Sequence, residues 1–255
     1  MTSLLPLTQM LSDSLWVGLI VLLRVGAIMA SLPGLGERVV SVRVRLVLSL
    51  MLTAIVTPSV GQAIDIPPIG LDAFVRALMT ESVSGLFLGL ILRLFIIAIQ
   101  TAGSIAGQST SLAQLLGQSG LDPLPALGHI LTTAALALLM ATGFHVKAAA
   151  FIVLSYELLP ALQFPSPADV AEAGSQRVAA SFGLAFGLAA PFLIMSVIYN
   201  LTLGVINKAM PQLMVAFVGA PLITFGAIGI LFICAPFMLA AWLTAFEAFL
   251  AVPFK

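Results

Sequence analysis

The chain has 255 residues with ten Lys plus Arg and ten Asp plus Glu, so charged side chains make up 8% against about 25% in a soluble domain. With 61% hydrophobic residues and a mean hydropathy of +1.19 it cannot cover its outside with polar groups, so lipid or apolar protein must be its solvent and it is expected to be an integral membrane protein. Zero net charge, with no basic cluster beyond Arg38, Arg43 and Arg45, removes the electrostatic basis for nucleic-acid binding, and the lone Cys234 excludes an intrachain disulfide or a multi-cysteine metal site and is expected to be a small buried hydrophobe.

The first apolar segment spans residues 14–32. At about 1.5 Å per residue it is long enough to cross most of a ~30 Å hydrocarbon core. Its only cation, Arg24, lies inside the segment, so no cleavable leader is expected. It stops at the breaker cluster Pro33-Gly34-Leu35-Gly36. A second segment, 42–60, is followed by an exposed connection containing Pro67 and Pro68. A third runs from about 71 to 106 and is longer than the ~20 residues a crossing needs, so it must tilt, protrude or break.

Residues 103–120 then turn small and polar without becoming charged. Two shorter segments, 126–142 and 148–159, suggest a helical hairpin ending at Pro160. Residues 163–176 hold Pro165, Pro167, Asp169 and Glu172 and have the composition of a solvated loop. Two long runs, 178–207 and 209–246, follow; Pro191 in the first, and Pro221 and Pro236 in the second, are expected to kink or split them. Arg38, Arg43 and Arg45 place their loop in the cytoplasm by the positive-inside rule.

No catalytic or metal framework is legible. His129 and His145 have no carboxylate at ligand spacing, and each is expected to be a hydrogen-bonded interhelical histidine. No zinc-protease, phosphate-loop or serine-hydrolase motif occurs, and no cofactor is expected. Three Gly-x-x-x-Gly pairs, Gly85 with Gly89, Gly103 with Gly107 and Gly183 with Gly187, put small residues on one helix face, where another backbone can approach closely. That backbone could belong to this chain or to another subunit.

Charges at membrane depth are functional candidates. Arg24, Glu81 and Arg93 qualify. Glu81 and Arg93 are about 18 Å apart along a helix, so each needs a partner elsewhere; structural ion pairs fit better than a proton relay, which wants acids in series. No charge occurs from 94 to 121, where Gln100, Gln108, Gln114 and Gln118 are interleaved with Gly, Ser, Thr and Leu. Irregular backbone at membrane depth is tolerated only where it is buried in protein or lines a cavity. The stretch could fill a pore without attracting ions, or form a plain interfacial loop.

The order of motifs resembles the FliR/SctT family of type III export-gate proteins. The matching pieces are Arg24 with Pro33, Val42-Arg-Val-Arg45, Glu81-Ser-Val-Ser-Gly85 with Gly89, Gly103-Ser-Ile-Ala-Gly107-Gln108, Asp122-Pro123 and Gly143-Phe-His145. They continue with Ser155-Tyr-Glu-Leu-Leu-Pro160, Asn200 with Gly204, and Pro211-Gln212-Leu213 with Gly219 and Pro221. The resemblance implies a non-enzymatic subunit of the export gate in the bacterial inner membrane, at the flagellar basal body or in the related injectisome, both of which the resemblance covers. Its partners would be FliP-like and FliQ-like subunits, an FlhB-like subunit, membrane lipid and unfolded secreted proteins.

It also implies that many nominal spans are tilted hairpins facing other subunits. The expected architecture is all-α, with six to eight tilted, partly broken helices in one membrane domain: N-terminal helices 1–106, a plug-like loop 107–122, a hairpin 123–160 and broken C-terminal helices 177–255. The family's plug maps to about 108–121, with Gly107, Gln108, Leu112, Gln114, Leu115, Leu116, Gly117, Gln118 and Gly120 as candidate gate residues. The family's plug carries aromatic side chains and this stretch has none, so sealing would rest on leucines and backbone. Candidate packing residues are Gly85, Gly89, Gly103, Gly183, Gly187, Pro211 and Gln212. A small secondary transporter, with broken helices at Pro191 and Pro221 around a midplane solute site, is the alternative.

Overall fold

The computed structural model describes residues 5–37, 39–64, 68, 70–110, 126–210 and 215–254. Among them the chain is all-helical, with seven α-helices: α1 Leu5–Ser31, α2 Val42–Val60, α3 Leu71–Ser109, α4 Ala126–Ala141, α5 Phe144–Leu158, α6 Pro167–Ala209 and α7 Val215–Ala251. Five contain a stretch long and apolar enough to cross a membrane, and the bent pair α4–α5 would make a sixth.

Local chemistry explains the ends. At α2, Ser41 is extended and its hydroxyl accepts from the Val44 N–H at 3.4 Å, as an N-cap should. Within α2, the hydroxyls of Ser49, Thr53 and Thr57 each donate to the carbonyl four residues back, so these three need no partner in lipid. The loop before it is tied down by Arg45, whose guanidinium donates to the Leu35 and Glu37 carbonyls.

Two expectations change. Residues 167–176 are not loop but the opening turns of α6, because Ser166-Pro167-Ala168-Asp169 is a helix start. Proline is suited to the first helical position, and the Ser166 hydroxyl accepts from the Asp169 N–H. The α4–α5 segment is a corner rather than a hairpin: the helices are bent by 77° at the break, where Gly143 takes φ +72°, a backbone state glycine adopts without the penalty of a Cβ. Pro191 sits inside a continuous α6 and α7 continues through Pro221 and Pro236, so these prolines do not divide their helices.

The described residues gather into two compact units, one from 1–93 and 139–176, the other from 94–138 and 177–255. In the first, α2 packs on α1 and α5, and α1 lies against α3 through Gly85 and Gly89. Its core includes Ile20, Val25, Ile28 and Leu88. In the second, Trp242 is buried; its indole N–H donates to the Phe95 carbonyl at 2.7 Å, and its ring stacks on Phe246, which meets Phe95 edge-on.

Candidate functional site

The first candidate is a charge centre. Arg24 of α1 and Glu81 of α3, 57 residues apart in sequence, are both fully buried and bonded, guanidinium Nε to carboxylate Oε2 at 2.7 Å. The remaining guanidinium donors face the end of α5: one terminal nitrogen donates to the Ser155 carbonyl at 3.1 Å and the Leu159 carbonyl at 2.7 Å, the other to the Pro160 carbonyl at 3.5 Å. The Ser155 carbonyl also accepts the Leu159 N–H at 2.9 Å; the Leu159 and Pro160 carbonyls lie just past the helix end, beyond its backbone ladder, and a cation there also meets the negative end of the helix dipole. The Tyr156 ring lies 4.0 Å from the guanidinium carbon. The other Glu81 oxygen accepts from the Leu162 N–H at 2.7 Å. Removing one member of such a buried pair costs about 3–5 kcal/mol, because the other charge is left uncompensated.

The second candidate is the end of α3. The hydroxyls of Ser109 and Thr110 both donate to the Ala106 carbonyl at 2.9 Å. From α6, the Ser196 hydroxyl donates to the Ser109 carbonyl at 2.6 Å, and the Asn200 amide donates to the Ser196 hydroxyl at 3.2 Å. The last turn of α3 is thereby held by side chains where the backbone ladder runs out. Gly107 and Gln108, expected at the start of a loop, belong to this helix end.

A family model described as bacterial export proteins, family 1, matches residues 15–249, a span that contains both centres. The chain belongs to this family. It is 34% identical to the flagellar biosynthetic protein FliR of Caulobacter vibrioides, over 81% of this chain and 83% of that protein. The FliR proteins of Escherichia coli and Bacillus subtilis are 30% and 29% identical, over 79% and 80% of this chain and 77% and 80% of theirs.

In this bacterial export protein the glycine pairs have different surroundings. A Cβ at Gly85 would sit 2.7 Å from the Ala27 Cβ and the Arg24 carbonyl, and one at Gly89 2.9 Å from the Ser31 Cβ, so this face is covered by the chain's own α1. A Cβ at Gly103 would run into Gly128 of α4. At Gly183 and Gly187 it would meet nothing within 4 Å; that face is open in this chain. Arg93 is half-buried on α3. Leu112, Gln114, Leu115, Leu116, Gly117, Gln118, Gly120, Pro211 and Gln212 lie outside the described residues.

His129 and His145 are exposed rather than packed between helices of the chain, and Cys234 is half-buried. Among the described residues no group of three or more His, Cys, Asp or Glu could hold a metal ion. Sequence reasoning missed Leu162, Ser196, Asn200, Trp242 and Gly128 as contact residues. Two carried a signal: Gly128, a small residue in the first turn of a helix, and Asn200, part of the motif with Gly204.

Proposed function

We propose that this chain is a structural and gating subunit of a type III export gate in the bacterial inner membrane, at the flagellar basal body. It forms one wall and part of the closure of a channel through which unfolded flagellar proteins leave the cytoplasm. FliP-like and FliQ-like subunits flank it and an FlhB-like subunit joins at the cytoplasmic side.

The observation that carries this reading is α7. Its apolar span Leu222–Ala251 has 30 residues, and an 18-residue stretch within it has a mean hydropathy of 2.4 with only 17% of its residues buried within the chain. Thirty residues are about 45 Å of helix, against about 30 Å of hydrocarbon, and fitting one into the other takes a tilt near 48°, beyond the usual range of 0 to about 40°. Phe225, Phe232 and Phe237 are each more than 70% exposed along it. An apolar helix longer than the bilayer and only partly covered by its own chain calls for other protein around it. The names of the FliR relatives supply the process.

The mass of the detergent-extracted particle tests this. A large complex containing FliP-like and FliQ-like proteins is expected, and a lone or dimeric chain overturns it. The closure role falls to residues 108–121, of which 111–121 lie outside the described residues. Deleting 108–118 should raise the ion conductance of membranes holding the resting gate; an unchanged conductance removes the plug assignment.

A further inference from the structure

We infer that Arg24 and Glu81 form a latch on the elbow between α5 and α6, fixing the backbone of residues 159–162 rather than serving only to neutralise each other. The two side chains divide the work. The Arg24 fork holds three carbonyls, that of Ser155 in the last turn of α5 and those of Leu159 and Pro160 just after it, while its Nε holds Glu81. Glu81 spends its second oxygen on the Leu162 N–H at 2.7 Å. Leu162 has φ +62°, a left-handed state that a side chain disfavours and that persists only when its surroundings impose it. Four residues later the Ser166 hydroxyl starts α6. The conformation from which α6 begins is therefore set by two buried side chains on α1 and α3, and not by the connector's own preferences, since no glycine or asparagine occurs in 159–166.

A pair that merely cancels charge and a latch respond differently to two substitutions. Arg24→Lys keeps the positive charge beside Glu81 but loses the planar fork, so one ammonium cannot reach the carboxylate and all three carbonyls in the same geometry. The double variant Arg24→Met with Glu81→Leu removes both charges and replaces them with apolar side chains, which restores a buried pair whose only role is neutralisation.

The experiment is hydrogen–deuterium exchange on the tagged full-length protein, extracted in detergent from its host with the subunits that accompany it. In both variants the peptide covering 159–166 should exchange about ten-fold faster or more, as expected for loss of a charge-assisted hydrogen bond. Peptides covering 17–29 and 85–92, where α1 and α3 pack, should stay within about two-fold of the parent, since that packing is apolar. Parent-like exchange at 159–166 in either recovered variant overturns the latch. So does equal acceleration in all three peptides, which would make the pair a general stabiliser. Where the double variant is not recovered from membranes, Arg24→Lys decides alone.

Discussion

The crossing of α3 and α4 yields the sharpest prediction, because its two glycines are not equivalent. A methyl group added at Gly103 would overlap the Gly128 Cα and stand 2.9 Å from its nitrogen and 3.3 Å from the Leu127 carbonyl carbon. All three are backbone atoms, so no side-chain rotation gives relief and the helices must separate, loosening Ala102, Ala106, Leu131 and Ala135, all fully buried. The same methyl at Gly128 would find its nearest neighbours, Gln100 O, Gly103 C and Ser104 N, at 3.7 Å, an ordinary contact. Overpacking of this kind costs about 1–3 kcal/mol, whereas glycine to alanine in a helix otherwise gains up to about 1 kcal/mol. Gly103→Ala should therefore lower Tm, by about 2–4 °C per kcal/mol for a chain of this length, while Gly128→Ala leaves it unchanged or raises it. Thermal unfolding of the detergent-purified protein, followed by the fluorescence of Trp242 in the same unit, reads the difference. Equal losses in the two variants, or none in Gly103→Ala, would refute the backbone-on-backbone crossing.

Gly85→Leu should destabilise the chain itself, since its Cβ alone already meets Ala27 and the Arg24 carbonyl at 2.7 Å; a lowered Tm before any assembly step is the expected result. Gly183→Leu and Gly187→Leu should do the reverse, leaving Tm unchanged because their Cβ positions open onto free space, but reducing the amount of partner subunits recovered with the tagged chain. Full recovery in both would mean that this face meets lipid. Trp242→Phe keeps the ring against Phe246 and removes the bond to the Phe95 carbonyl; it should cost about 0.5–1.5 kcal/mol, measured as a shift in the unfolding midpoint followed by far-UV circular dichroism, since the variant lacks the Trp242 fluorophore.

Much of the helix pattern was legible because composition and breakers mark it. Residues 42–60 form α2 as expected, and the third segment is indeed overlong, at 39 residues. What misled was composition read without position. The prolines and acids of 163–176 look like a loop, but Pro167 and Asp169 occupy the first turn of α6, where both are favourable. Gly143 was legible as a break, yet the angle at a break depends on the packing of both flanking helices, which local sequence does not contain. Close packing at Gly85 and Gly103 was legible from spacing; which helix arrives there was not. The same holds for Arg24 and Glu81: the cost of burying each charge says that a partner exists, while only the tertiary fold brings two residues 57 positions apart to 2.7 Å.

The low charge content therefore has two physical sources that composition cannot separate. In the first unit the fully buried charges are closely partnered: beyond the bond between them, Arg24 donates to the carbonyls of Leu159 and Pro160 past the end of α5, and Glu81 accepts from the N–H of the left-handed Leu162. In α7 charge is nearly absent, Glu247 being the one Asp, Glu, Lys or Arg among 37 residues, although few of its side chains are buried in the single chain. A membrane helix facing only lipid has no reason to exceed the bilayer by about 15 Å of apolar surface. Apolar composition sustained past that length, on a helix its own chain covers only in part, is what a surface buried by neighbouring subunits requires.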